Sequence, residues 1–458
     1  MPTVYGTQTG GAGLAYGLNG VTDWSVQQPF LDVFKTAREW HGHTESQWGA
    51  YRAEDLERMG VLDAEGWITD LPAGVDRVET FILTEMPAEA RYTAGTYRLS
   101  YDGTGAITVH GAEIVSQSNG EIWFNYTPTG QGMVVVSITA TDPQNTGDYL
   151  RNIEVVKQEH IPAFEAGEIF NPLWLDVIRD AHSLRFMDWQ ETNNSTLQHW
   201  SDRPTPGTYS YAEGVPLEVM VALANATGTE PWFNMPWDAT DAYIRQFASY
   251  VRANLNTDLR AHYEMSNEVW NWQFDQAQDA GRSATERFGQ DLGDGWMQEY
   301  GARAAGMASV LDNVYSGAED RLVKVIATHT AWPGLEESAL EAPNWQALSA
   351  ANAAPYLSFD TYAVTGYFGN SLGTDEKAPA VLDWIARSEA QARQEAAQQG
   401  LRGATAEAYV AEHRFDLAVD LAVRELRDGS VTGNAEDSLQ GLFELFRYHK
   451  GVADAHGL

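Results

Sequence analysis

The chain has 458 residues and a formal net charge of −35, from 64 acidic against 29 basic side chains, with no cysteine. That length supports a large core and more than one small domain, while the missing thiols exclude a disulfide framework, a thiolate metal site and a cysteine nucleophile. The negative field disfavours nucleic acid and anionic membranes, and the carboxylate excess turns attention to acid/base chemistry.

The N-terminal stretch from Met1 to Gly20 has no basic start followed by an apolar core, so a cleavable leader is not expected there, and no run reaches the about 18 apolar residues of a membrane span. Localisation is read as extracellular by a leaderless route, with the cytoplasm as the alternative. A first short strand is expected at Leu14–Gly20. From Thr80 to Lys157 the pattern changes to alternating β-branched and aromatic runs broken by Gly, Asp and Pro, which predicts a small antiparallel β domain.

Beyond it, short apolar strands alternate with helical patterns such as NPLWLDVIRDAHS, PLEVMVALANATG and DAYIRQFASYVRANL. Strands are expected at Leu184–Trp189, Pro231–Met235, Ala261–Ser266, Val323–Thr328, Tyr356–Tyr362 and Ala408–Glu412, followed by a last helix ending near Gly457. Alternating strands and helices mean a parallel α/β sheet, and seven such units approach a (β/α)8 TIM-type barrel whose eighth strand is not evident before Leu458. The expected organisation is barrel strand and helix over 1–75, an inserted antiparallel β-sandwich over 76–158, and the rest of the barrel over 159–458.

The stretch HYEMSNEVWNWQF, from His262 to Phe274, is the most informative. A β run ends in Ser266-Asn267-Glu268 beside Trp270 and Trp272, and polar residues ending a barrel strand face the catalytic mouth. A carboxylic acid there can protonate a glycosidic oxygen while aromatic faces stack on the sugar. The competing reading is an Asn-Glu pair that caps the following helix.

An Asn-Glu pair ending a fourth strand resembles the acid/base signature of glycoside hydrolase clan A, the retaining glycosidases on (β/α)8 barrels. The resemblance implies that Glu268 is the acid/base and that Asn267 binds the sugar 2-hydroxyl. It also implies a nucleophilic Glu ending the seventh strand, where AYVAEHRF offers Glu412; Glu407 competes but precedes the strand. Arg185 would hydrogen-bond the nucleophile, and Tyr362 resembles the clan's sixth-strand aromatic. By position after strands, Trp189, Asn234, Trp237, Trp270, His329 and Trp332 are further substrate-binding candidates, with Asp188, Gln190, Trp232 and Tyr367 beside them. Glu264 competes with Glu268, although its place inside the fourth strand favours a buried ion pair or a mid-barrel residue.

No cofactor is expected, and no metal, because His41, His43 and His413 lack metal-ligand spacing. Ser-His-Asp catalysis lacks a Gly-x-Ser-x-Gly elbow. The sequons at Asn125, Asn194 and Asn225 are assigned no role. The function expected is retaining hydrolysis of β-glycosidic bonds in an oligo- or polysaccharide, by endo attack given the many Trp residues near strand ends. The partner is then a carbohydrate, with no nucleic acid and no membrane span, and the oligomeric state stays open. A non-catalytic carbohydrate-binding protein on a barrel scaffold and a transglycosylase are the alternatives.

Overall fold

The computed structural model describes residues 13–458, so most of the N-terminal stretch read for a leader lies outside the described residues. The chain divides into two compact units, one running to Asp279 and including Arg303–Lys324, the other comprising Ala280–Ala302 and Val325–Leu458.

In the first unit the strands are β1 (Leu14–Gly17), β2 (His41–His43), β3 (Arg77–Ile82), β4 (Gly95–Asp102), β5 (Gly105–His110), β6 (Glu113–Ser118), β7 (Glu121–Tyr126), β8 (Val134–Thr141), β9 (Arg151–Lys157), β10 (Ala181–Arg185), β11 (Glu230–Met235) and β12 (Ala261–Met265). Strands β1, β10, β11 and β12 pair in that order and all run parallel. The register sets Asn234 beside Glu264 and Met235 beside Met265, so neighbouring strands stop together and the loops that follow share one edge.

Helices connect these strands with recognisable ends. Leu217–Thr227 begins after Pro216 and stops at Gly228, whose φ of 68° closes the helix in the left-handed region that glycine adopts without a Cβ penalty. Asp241–Asn254 starts at Thr240, whose hydroxyl accepts from the Tyr243 amide, and buries Tyr243, Ile244, Phe247 and Val251 along one stripe.

The antiparallel region forms two four-stranded sheets, β2-β3-β8-β5 and β6-β7-β4-β9. Their alternating apolar residues meet in one cluster, with Val78, Ile107, Val136 and Ile138 from the first sheet against Leu99, Ile122, Phe124 and Val155 from the second. That is a sandwich, as the period-two pattern predicts. The sheet also takes in β2, upstream of residue 76, which the sequence pattern does not reveal because three residues carry too little alternation.

In the second unit β13 (Leu322–Ala327), which starts in the first, pairs in parallel with β14 (Thr361–Ala363). Of the expected strand at Tyr356–Tyr362, Thr361 and Tyr362 open β14, while Tyr356–Ser358 belong to a short 3-10 turn at Pro355–Ser358, because proline presets the helical φ at its first position. The last helix, Leu439–His456, is as expected, opened by the Ser438 hydroxyl and closed at Gly457.

Two expectations are corrected. The described residues contain six parallel strands rather than the seven or eight of a (β/α)8 barrel, so the fold is mixed α/β with a partial parallel array and separate antiparallel sheets. The expected seventh strand, Ala408–Glu412, lies within a helix, Ala404–His413. Four alanines and two glutamates in ATAEAYVAEH outweigh the two strand-favouring residues Tyr409 and Val410. No helix among the described residues is long and apolar enough to cross a membrane.

Candidate active site

At the common edge of β10, β11 and β12 the chain leaves the sheet through a strained turn. Ser266 and Glu268 have φ of 60° and 41°, left-handed values that cost a side-chain-bearing residue about 1 kcal/mol or more each. Neighbours hold the turn in place. The Ser266 amide donates to Met235 O at 2.8 Å, Asn234 Nδ2 donates to Ser266 O at 2.7 Å, and Gln276 Nε2 donates to Asn267 O at 2.8 Å.

The side chains beneath the turn form a continuous network. Arg185 Nη2 donates to Glu264 Oε2 at 2.8 Å and to Asn267 Oδ1 at 3.0 Å, and Trp232 Nε1 donates to the same Glu264 oxygen at 2.9 Å. Asn267 Nδ2 then donates to Asn193 Oδ1 at 3.0 Å, which also accepts from Gln276 Nε2 at 2.8 Å. Glu264 is buried and paired, as its place inside the strand predicts. Arg185 therefore serves Glu264 and Asn267, where the resemblance implied a nucleophile as its partner.

Glu268 itself is only partly buried and accepts one bond, from Asn271 Nδ2 at 3.0 Å. Its carboxyl is thus the accessible acid of the turn, while the carboxylate four residues earlier is committed to the interior. Asn267 is fixed at both ends of its amide, and one Nδ2 hydrogen is not used by these bonds.

Electrostatics beside the site favour protonated acids. Burial pushes Asp188 above its ordinary value, offset in part by Arg185. Glu191 is driven up to about 7 by burial and by the neighbouring carboxyls of Glu213 and Asp188. Glu191 lines a cavity of about 430 Å3 with Asn193, Asn194, Arg203 and Glu213. Neither Glu191 nor Asn193 was legible as a site residue, since both lie in the loop after β10 and no periodicity marks them.

The expected sugar platforms are redistributed. Trp189 is buried, donates to Asn19 O at 3.1 Å and stacks on Trp174 at 5.8 Å, so it belongs to the core. Trp237 and Trp270 are also buried, and Arg303 lies over the Trp237 ring at 5.1 Å. Large apolar rings gain most by leaving water, and these three rings have done so. Trp272 and Trp332, 50% and 48% exposed, do keep accessible surface.

In the second unit Tyr362 is tied down internally. His449 Nε2 lies 2.8 Å from Thr330 O and so carries the proton, which leaves Nδ1 to accept from the Tyr362 hydroxyl at 3.0 Å; Thr328 Oγ1 completes the group. Burial pushes the Tyr362 hydroxyl well above its ordinary value. His329 Nδ1 accepts from the Ala331 amide at 3.0 Å, and Trp332 packs against Trp296 with ring centres 6.2 Å apart. Glu412 occupies an exposed position in the last turn of its helix. No group of three or more His, Asp or Glu residues is arranged to hold a metal among the described residues.

No known family model matches the sequence, and no curated protein matches it. Among solved structures, a Bacteroides uniformis beta-glucuronidase matches with a TM-score of 0.23 at 10% identity, over 64% of this chain and 34% of that one. Bacteroides uniformis beta-glucuronidase 2, covalently bound to cyclophellitol-6-carboxylate aziridine, matches with a TM-score of 0.23 at 9% identity over the same shares. The chain spans about a third of the length of these structures, and a likeness at that level carries no argument for fold or chemistry.

Proposed function

We propose that the chain is a glycoside hydrolase of the retaining type, acting on β-linked oligo- or polysaccharides, in which Glu268 is the acid/base. The observation that carries this reading is the Ser266–Glu268 turn: an accessible carboxyl at the end of the fourth parallel strand in chain order, next to an asparagine amide locked by Arg185 and Asn193. In the first step a carboxylate nucleophile bonds to the anomeric carbon as the bond to the glycosidic oxygen breaks and Glu268 gives that oxygen its proton; in the second Glu268 takes a proton from water, whose oxygen bonds to the anomeric carbon and displaces the carboxylate. Asn267 offers an amide hydrogen to a sugar hydroxyl, and Trp272 offers a ring face for an adjoining sugar, which supports attack within a polymer.

A retaining mechanism also needs a nucleophilic carboxylate about 5–5.5 Å from the acid. Glu412 was assigned that role by strand order, and its position on an exposed helix removes the strand-end argument. A 2-fluoroglycoside that traps the glycosyl-enzyme, followed by peptide mapping, identifies the nucleophile directly: label on Glu412 establishes its role, and label elsewhere reassigns it. Glu268→Gln is expected to lower turnover about 10³-fold on substrates with poor leaving groups and far less on activated aryl glycosides. Unchanged turnover of both substrate types in that variant would sink the proposal. The helical setting of Glu412 also favours a second reading, a sugar-binding protein without turnover, which predicts glycan binding that survives both Glu268→Gln and Glu412→Gln.

A further inference from the structure

Trp24 and Trp48 are 56% and 63% exposed, high values for the largest apolar side chain. They are joined by other groups. The Arg38 guanidinium carbon lies 5.1 Å from the centre of the Trp24 ring and 5.3 Å from that of Phe81. Phe81 in turn is 6.1 Å from Trp48, and the His41 ring lies near parallel to Trp48, at 6.3 Å and 19°. Phe81 is buried beneath its neighbours, so a strip runs from Trp24 over Arg38 and the Phe81 pedestal to Trp48. It borders β2, an edge strand of its sheet.

The polar member of the strip is fixed in advance. Arg38 Nε and Nη2 donate to Asp23 at 3.1 and 2.9 Å, and buried Asp23 also accepts from the Thr84 hydroxyl. The Arg38 amide donates to Phe81 O at 3.1 Å. Arg38 Nη1 has no hydrogen-bond partner among the described residues, which leaves a fixed donor beside the Trp24 ring and over the Phe81 pedestal. Asp23 cancels the guanidinium charge, and the chain as a whole, at −35, repels polyanions.

These features select an uncharged ligand with flat C–H faces and hydroxyl acceptors. Pyranose rings have that chemistry: the C–H face lies on an indole and a hydroxyl takes the Arg38 hydrogen. We propose that Trp24, Arg38 and Trp48, held on the buried Phe81 ring, form a binding site for neutral polysaccharide. The site shares no residue with the Glu268 network and stands whether or not Glu268 is catalytic.

The test is native gel electrophoresis of the full chain through gels holding hydroxyethylcellulose, mixed-linkage β-glucan, galactomannan or, as the charged control, alginate. Retardation is expected in at least one neutral polymer, unchanged by about 0.5 M NaCl because no net charge is involved. Trp24→Ala and Trp48→Ala are each expected to weaken it about tenfold, the loss of one stacking face. Trp24→Phe and Trp48→Phe, which keep a ring, should retain more, and Arg393→Ala, at an exposed ion pair outside both sites, should match the parent. Thermal melts show whether the alanine variants fold; if they do not, the phenylalanine pair decides, and full retention by both of a retardation that Arg38→Ala also leaves intact overturns the site. Absence of retardation in every neutral polymer, or retardation in alginate alone, also overturns it. So does a result in which the tryptophan variants change only the mass in solution by light scattering, which would make the strip a contact between copies.

Discussion

Two stretches of carboxylates behave in opposite ways. Glu264 and Glu268, at the end of β12, sit where three parallel strands stop together, and each is placed by groups from other segments: Arg185 and Trp232 for the first, a tightly bonded turn for the second. Glu407 and Glu412, in the helix Ala404–His413, stand on a surface where the nearest partners are other long side chains, such as Arg393 at 3.3 Å from Glu407. A strand end draws on residues distant in sequence to position an acid; a helix surface leaves it to water and to flexible neighbours.

The contrast can be broken first at Glu264. Glu264→Gln removes the charge that Arg185 and Trp232 converge upon, and is expected to cost about 2–4 kcal/mol in urea unfolding, since one half of a buried pair is left behind. A loss under 0.5 kcal/mol would mean that the network is no more than solvated surface.

A buried acid elsewhere in the first unit sharpens the point about position. Burial raises Asp32 to about 6, although its Oδ1 accepts from the Phe34 and Val155 amides. A raised carboxyl holds its proton more tightly folded than unfolded, so its ionisation removes stability as pH climbs from about 4 through 6. Asp32→Asn keeps the accepting oxygen, and should gain on the parent by about 2 kcal/mol between pH 4 and pH 8. Melting curves of the two proteins that stay parallel across that range would contradict it. The smallest effect belongs to the helix surface: Arg393→Ala, which breaks exposed pairs with Glu389 and Glu407, should change stability by about 0.5 kcal/mol or less. A larger change in urea unfolding would show that the helical carboxylates are positioned after all.

The same contrast explains what could be read in advance. Strands β11, β12 and β13 fall within a residue of their expected limits because apolar runs between helical patterns leave little alternative. The Asn267-Glu268 pair was legible because it is local. Arg185 was visible as a strand residue, but its partner was not, since pairing across strands depends on register, which sequence spacing does not specify. The helix around Glu412 is not legible as one because the β-prone pair Tyr409-Val410 sits inside it, while the helix-forming strength of the flanking alanines shows only when summed over the whole segment. Buried Trp189 and Trp237 show the limit of position alone: a ring after a strand can turn inward or outward, and only the packing decides.

The left-handed backbone at Ser266 and Glu268 sets durability against use. Glycine and asparagine occupy that conformation at little cost, so a laboratory selection for heat resistance alone would drift toward them at both positions. At 268 the hardier variant would have discarded the accessible acid of the turn, and a chain that keeps glutamate there does so against the preference of its own backbone.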